Sequence, residues 1–423
     1  MPGNKEQGFS APRGMRDFYP EDMALRNRLF DTWRQAAENF GFKPYDACVV
    51  ESLELLKRKS GEEIVDQIYH FKDKSNRDLA LRPEMTHTLA RMVSARQGTL
   101  SLPLKWHTIA QCFRYERTTR GRKREHYQWN LDILGEPSVA AEAEILATAV
   151  SALEKLGITG TMLCIHFNSR ALLSDLLKTV DISEAKHPAI FLALDKRGKI
   201  PDEAISELMH KAGLNDDETA KAWRMLDMHT LDDVRQTVPD SPALAQLDEF
   251  IRVCASYGFA DRLMFDMSVI RGLAYYTGIV FEAFDIKREF RAVFGGGRYD
   301  NLLTEIGGQP LSGVGLGFGD VVIAEIINAY LPNDGESRPE CDTAIGYMEE
   351  SQHSAAILLA QKLRSEGDSV DMALAPEKPK KFFTRTGRGS YRKAVYLGPD
   401  DIERGSARIK DLASRTETEI TLS

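Results

Sequence analysis

The stretch from Gln111 to Gly135 constrains this chain more than any other. It runs out as Gln111-Cys112-Phe113-Arg114-Tyr115-Glu116-Arg117 and back as Glu125-His126-Tyr127-Gln128-Trp129-Asn130-Leu131-Asp132. Both arms alternate apolar with polar or charged residues, the pattern of a strand with one face buried. Between them, Arg117 to Arg124 carries five basic side chains in eight residues. The expectation is an antiparallel hairpin with a cationic loop. Residues two apart on a strand share a face, so Arg114 and Glu116 are expected together on the first strand and Gln128 and Asp132 together on the second. An arginine beside acidic and amide groups suits a ligand bearing a phosphate, an amine and a base edge. A solvated charged hairpin accounts for the same residues without a ligand.

The rest of the chain, 423 residues long, has length for two to four domains. Its formal charge of -8 argues against a general polyanion binder and leaves room for local basic patches. No apolar run approaches the ~18 residues of a membrane span, and Met1 to Ser10 is too polar for a signal peptide. A cytoplasmic protein is expected. Cys48, Cys112, Cys164, Cys254 and Cys341 are scattered and odd in number, which fits reduced thiols. The nine histidines show no metal-ligand spacing, so no protein metal site is expected and a divalent ion would arrive with a phosphate ligand.

Helical spacing predicts an amphipathic helix from Pro20 to Gly41, with Leu25, Leu29, Phe30, Trp33, Ala37 and Phe40 buried. Strands are expected at Tyr45 to Val50, Ile68 to Lys72 and Leu79 to Leu81, then helices after Thr86 and from Ala140 to Leu156. Residues 169–258 turn to small polar-faced helices, among them Asp202 to Gly213 and Ala243 to Tyr257, and look inserted between strand-rich segments. A strand follows at Arg262 to Met267, then an apolar glycine strand from Gly313 to Gly319 and a helix from Asp320 to Tyr330. A linker covers 332–339. The last segment alternates strand and helix, as an open α/β sheet does: Thr343 to Tyr347, Ser351 to Gly367, Ser369 to Leu374, Ala394 to Gly398 and a final strand pair.

Gly295 to Gly297 is not a phosphate loop, since no Lys-Ser/Thr follows and no GxGxxG precedes a helix. It marks a place where backbone passes close to a ligand or another strand. Gly313, Gly315, Gly317 and Gly319 alternate, so one face of their strand lacks side chains and makes a floor for a flat ligand. Arg271, among Gly and Tyr residues, needs an anionic partner if buried. Lys378 to Lys393 holds seven Lys or Arg, no acid, and Phe382, Phe383 and Tyr391. That mixture suits unpaired nucleic-acid bases, and equally a solvated loop.

Arg13-Gly14-Met15-Arg16-Asp17, Leu81-Arg82-Pro83-Glu84, Phe113-Arg114-Tyr115-Glu116, Arg271-Gly272-Leu273-Ala274-Tyr275-Tyr276 and Gly296-Gly297-Arg298-Tyr299-Asp300 occur in that order. With them the chain resembles the histidyl-tRNA synthetases, a family of class II aminoacyl-tRNA synthetases. The resemblance implies an α+β fold: an antiparallel sheet of six or more strands flanked by helices, a helical insertion and a C-terminal α/β anticodon-binding domain. In this sequence those are 1–168 and 259–331 for the catalytic domain, 169–258 for the insertion and 340–423 for the last domain. It implies a homodimer that joins histidine to tRNA(His) with ATP and Mg²⁺. Arg114 and Arg271 would be catalytic at the α-phosphate, and Glu116, Arg122, Arg298 and Gly317 would complete the ATP site. Glu84, Met85, Thr86, Gln128, Asp132, Tyr275 and Tyr276 would bind histidine, Asp132 and Tyr276 at the imidazole. Arg117, Arg120, Arg122, Lys123, Arg124, Lys380, Lys381, Arg385 and Arg388 would meet tRNA.

The chain departs from the pattern in four places. The class has an arginine on the helix after the glycine strand, and Val322 is the aligned position; Arg122 or Arg298 would substitute. Position 274 is Ala where the family often has Asp, Cys48 stands for the proline of an early strand, and Asp132 stands where many members have Glu. These departures fit a second reading, the synthetase-like regulatory subunit of ATP phosphoribosyltransferase, which lacks the C-terminal domain.

Overall fold

The structure is a computed structural model and describes residues 9–58, 66–197, 200–270, 275–331, 341–387, 389 and 391–422. The chain divides into two compact units, Met1–Pro332 and Asn333–Ser423. The first is built on an eight-stranded sheet whose long members are β5 (Leu104–Phe113) and β6 (Glu125–Leu134). Shorter members are β1 (Lys43–Pro44), β7 (Leu163–Ser169) and β8 (Leu263–Phe265), while β2 (Val50–Ser52), β3 (His70–Lys72) and β4 (Asp78–Leu81) form a separate sheet. Then come β9 (Ile279–Asp285), β10 (Phe294–Arg298) and β11 (Gly313–Gly319). The order is β1-β5-β6-β11-β10-β9-β7-β8, antiparallel throughout except for the parallel edge pairs β1/β5 and β7/β8.

One face of this sheet is the core. The alternation on β6 sends Trp129, Leu131 and Ile133 into it, where they meet the helices Pro20–Asn39, Ala140–Lys155 and Asp320–Tyr330. Trp33 of the first helix stacks on Trp129 with centroids 5.8 Å apart, and Phe318 packs 5.2 Å from Trp33. Burying rings of this size stabilises by roughly 2–3 kcal/mol each. The opposite parity, Gln128 and Asp132, is thereby left for the other face.

The expected strand Tyr45 to Val50 is instead a crossing between two sheets. β1 pairs with β5 in the large sheet, whereas β2 pairs with β4 in a three-stranded sheet β2-β4-β3. Residues between them cannot lie in one ladder: the Tyr45 N–H donates to the His107 carbonyl, and the Asp46 carboxylate accepts from the Ala47 N–H. Helices at 170–256 belong to the first unit, and Leu172, Leu176, Leu247 and Phe250 share its main core. The expected linker 332–339 lies outside the described residues.

The second unit is a five-stranded sheet of β12 (Cys341–Tyr347), β13 (Val370–Met372), β14 (Tyr391–Leu397), β15 (Ser406–Asp411) and β16 (Glu417–Thr421), ordered β13-β12-β14-β15-β16. Its first three strands are parallel and the last two antiparallel. The helix His353–Ser365 covers one face through Leu359 and Leu363, and Phe382 of the helix Pro379–Thr386 covers the other. Gly346 allows that approach, since a Cβ there would lie 2.5 Å from the Phe382 ring. Among the described residues no helix is long and apolar enough to cross a membrane.

Candidate active site

The face of the large sheet opposite the core carries Gln128 and Asp132 on β6, with Gly319 and Gly315 of β11 as their register partners. Tyr299 follows β10 with the same parity as Gly297 and donates its hydroxyl to Asp132 Oδ1 at 2.5 Å. Burial lifts the Asp132 carboxyl to about 7, against the lowering effect of the Tyr299 bond. The glycines have a specific task here: a Cβ on Gly315 would sit 2.5 Å from Asp132 Oδ1 and 2.9 Å from the Tyr299 ring, and one on Gly317 2.5 Å from Gln128 Nε2. Gly313, Gly315 and Gly317 are therefore roofed by side chains of their neighbours. Only at Gly319 does the strand open onto clear space.

Three tyrosines close one side. Tyr275 and Tyr276 are buried with ring centroids 4.8 Å apart, and Tyr275 meets Tyr299 edge-on at 6.0 Å and His87 at 5.9 Å. His87 lies on the helix Thr86–Ser94 and is bonded to the Glu84 carboxylate at 3.1 Å. Burial is the largest single influence and works against the charged form of His87, but the bond to Glu84, its negative charge and the bond to the Arg58 carbonyl together outweigh it and raise the pKa. Glu84 also faces Arg114, whose Nη2 lies 3.9 Å away while its Nε donates to the Pro83 carbonyl. Met85 is buried beside Cys112 and Ala110, and Thr86 begins the helix. Arg82 is spent on the scaffold, donating to the Gln111 and Ala47 carbonyls.

Arg114 and Glu116 do not share a strand face as expected. β5 ends at Phe113, because the Tyr115 N–H turns to the Gln67 carbonyl and the Glu116 N–H back to Arg114. Both lie in the connecting segment, where Glu116 is buried and ion-paired with Arg122. His126 reports the local field: burial, then Arg114, Arg16 and Arg122, push its pKa down to about 3. Three guanidinium groups thus act on one imidazole of β6, on the same strand face as Asp132 and six residues before it.

The N-terminal motif explains how that corner is held. Arg16 pairs with Glu125 at 2.6 Å and with Asp320 at 2.9 Å, and Asp320 accepts the Tyr127 N–H at 2.9 Å. Val322 sits within the main core, and a Cβ on Gly121 of the basic segment would lie 3.4 Å from its methyl group. The first residue of its helix, Asp320, is the one that reaches the hairpin.

Other expected residues lie elsewhere. Arg298 points to the opposite face, where it donates to Glu142 at 2.6 and 2.7 Å, to the Glu136 and Ser138 carbonyls and to Ser312. Parity forces this, since Arg298 falls between Gly297 and Tyr299. All five of its N–H donors are used within the scaffold, so it is not brought to the Asp132 pocket. In the basic segment Arg117 is exposed, Lys123 is half-buried, Arg120 lies over Phe290 beside Glu325, and Arg124 lies 3.9 Å over the Tyr115 ring. In the second unit, Lys378, Lys380, Lys381, Thr384 and Arg385 line an open cavity of about 640 Å³. Arg385 is tied to Asp371 and Glu377, Phe382 is core, and Phe383 is exposed. Arg271 and Arg388 lie outside the described residues. The expectations missed Tyr299, His87 and His126, although the parity of Gly297 and Tyr299 was readable.

An antiparallel sheet with a glycine strand at its centre, flanked by an arginine-bearing hairpin, defines the catalytic body of a class II aminoacyl-tRNA synthetase. The family model described as histidyl-tRNA synthetase matches residues 14–319. The chain is 40% identical over 99% of its length to the histidine–tRNA ligase of chloroplasts and mitochondria from Arabidopsis thaliana, covering 86% of that protein. It is 37% identical to the histidine–tRNA ligase of Opitutus terrae, over 97% of this chain and 96% of that one. Among solved structures it resembles a histidyl-tRNA synthetase from Nostoc, with a TM-score of 0.79 and 24% identity over 98% of this chain and 97% of the other. The chain belongs to the histidyl-tRNA synthetase family.

Proposed function

We propose that the chain is a histidine–tRNA ligase that activates histidine with ATP to histidyl-adenylate and pyrophosphate, then transfers histidine to the 3′ end of tRNA(His). The observation that carries this reading is a buried acid, Asp132, bonded to Tyr299 against the glycine strand, together with Arg114 held 3.9 Å from Glu84 at the end of the same hairpin. Guanidinium groups held in place by acids, next to a buried polar pair, suit an anionic nucleotide next to a small polar side chain.

In that reading the histidine carboxylate attacks the α-phosphorus in line, and the bond to the pyrophosphate oxygen breaks. Arg114, and by the family resemblance Arg271, stabilise charge growing on the phosphorus oxygens, the positioning and electrostatic work that dominates such transfers. Glu84, Thr86 and Gln128 receive the amino end of histidine. Asp132 takes an imidazole N–H on the carboxylate oxygen not used by Tyr299. Apolar analogues are rejected, because they leave these buried groups unpaired. The described residues offer no cluster of three metal-ligating side chains, so Mg²⁺, a hard oxygen-seeking ion, would be held chiefly by the outer phosphates of ATP and neutralise their charge. The basic segment 117–124, and Lys380 and Lys381 in the second unit, supply cations for tRNA phosphates. A homodimer working in the cytoplasm completes the proposal.

Histidine-dependent exchange of pyrophosphate into ATP, followed by charging of tRNA, tests it. Arg271→Ala is expected to abolish exchange while histidine still binds. Histidine binding by the unaltered protein with neither exchange nor charging would favour the regulatory-subunit reading instead.

A further inference from the structure

Tyr45 lies in the crossing after β1, a segment to which neither the motifs nor the expected site residues draw attention. Its backbone N–H is bonded to His107, and its ring packs against Trp106 with centroids 5.6 Å apart. Trp106 is the register partner of Asp132 across β5 and β6, so the phenol is carried over the face that holds Asp132 and Gly315. Its other neighbours are the cluster containing Tyr275, Tyr276 and Tyr299, and that containing Met85 and Cys112. The Tyr45 hydroxyl is buried and has no hydrogen-bond partner among the described residues.

A buried hydroxyl left unpaired is unfavourable, and phenylalanine would fill the same space without that cost. The groups nearest in chemistry are also incompletely used. Asp132 Oδ1 accepts from Tyr299, whereas Oδ2 makes no hydrogen bond among the described residues. Asp132 is felt electrostatically at Tyr45, and Tyr45 at Tyr299, yet no hydrogen bond joins Tyr45 to either. An acceptor and a donor, neither bonded at these atoms among the described residues, therefore lie on the same face of the sheet. A neutral imidazole presents one N–H donor and one nitrogen acceptor, the complement of that pair.

We propose that Tyr45 is a specificity-determining residue for histidine, its hydroxyl donating to the imidazole nitrogen that does not face Asp132. The proposal rests on the reading of this pocket as the histidine site. It adds to the Asp132 and Tyr276 pair a third group from a segment outside the motifs.

Tyr45→Phe removes the hydroxyl alone. In pyrophosphate exchange the KM for histidine is expected to rise about 10- to 100-fold, the equivalent of one lost buried hydrogen bond, with the KM for ATP unchanged. The two pyrrolylalanines, each with CH in place of one ring nitrogen, give the second readout. The unaltered protein is expected to prefer histidine strongly over the better of them, and Tyr45→Phe to lose at least tenfold of that preference. Because the hydroxyl has no partner among the described residues, the melting temperature is expected to stay the same or rise. An unchanged KM, an unchanged preference or a lowered melting temperature would each overturn the proposal. If the unaltered protein shows no exchange, the function reading fails, and calorimetric titration of histidine into both proteins then decides Tyr45 separately: weaker binding by the variant supports it, equal binding removes it.

Discussion

Asp132→Asn is expected to make the ligand-free protein more stable, increasingly so as pH rises. The Asp132 carboxyl is displaced from 3.8 to about 7, chiefly by burial. For an acid whose pKa is raised by folding, the folded state holds the extra proton, so stability is greatest below the unfolded value and falls as pH climbs to the folded one. The interval is about three pH units, and at ~1.4 kcal/mol for each the full cost above pH 7 is about 4 kcal/mol, an order-of-magnitude figure. Roughly half of it has accrued by pH 5.5. The advantage of the Asn variant should therefore grow by about 2 kcal/mol between pH 5.5 and 8.5 and level off near pH 7 to 8. Asn keeps an oxygen to accept the 2.5 Å bond from Tyr299, so the exchange removes the charge and little packing. Urea unfolding of both proteins across that pH range measures it, and exchange kinetics should show a raised KM for histidine in the variant. Parallel stability curves for the two proteins would refute the reasoning, because they would mean that Asp132 titrates alike folded and unfolded.

Three other outcomes are expected. Arg298→Met leaves Glu142 buried without its partner and should lower stability by about 3–5 kcal/mol in urea unfolding, while the KM for ATP measured on the remaining folded protein stays within a few-fold. Gly315→Ala drives a methyl group between Asp132 and Tyr299, so exchange assays should show a histidine KM raised about tenfold or more with the KM for ATP little affected. Lys380→Ala combined with Lys381→Ala should flatten the dependence of the tRNA KM on salt by about two phosphate contacts, with pyrophosphate exchange unchanged.

Much of the catalytic unit could be read before the structure, because parity and helical spacing are local signals. The first helix, β6, the glycine strand and the helix after it appear where their periodicity puts them. Asp132 and Gln128 share a face for the same reason. What could not be read depends on which sheet a segment joins. Tyr45 to Val50 has strand composition, but its ends pair in different sheets, and pairing is not visible in one strand. Arg114 and Glu116 had the spacing of a strand face, yet the ladder stops one residue earlier, where backbone bonds turn to Gln67. Arg298 stood in a motif with Tyr299, and adjacency in sequence hid their opposite directions. The bare glycine face was legible as bare, but the side chains that roof it come from β6 and from beyond β10.

The clasp of Arg16 on Glu125 and Asp320 carries a consequence for the order in which the protein matures. Arg16 to Glu125 closes a loop of 109 residues, Tyr127 to Asp320 one of 193, and Gly121 to Glu325 one of 204. Closure entropy rises only slowly with loop length, so such spans are thermodynamically tolerable, although contacts this remote slow folding. On a ribosome, Arg16 emerges long before Asp320 exists. Until then Arg16 and Glu125 lack their third member, and the hairpin corner stays incomplete. The substrate corner thus cannot be complete until the glycine strand and the helix Asp320–Tyr330 have been synthesised.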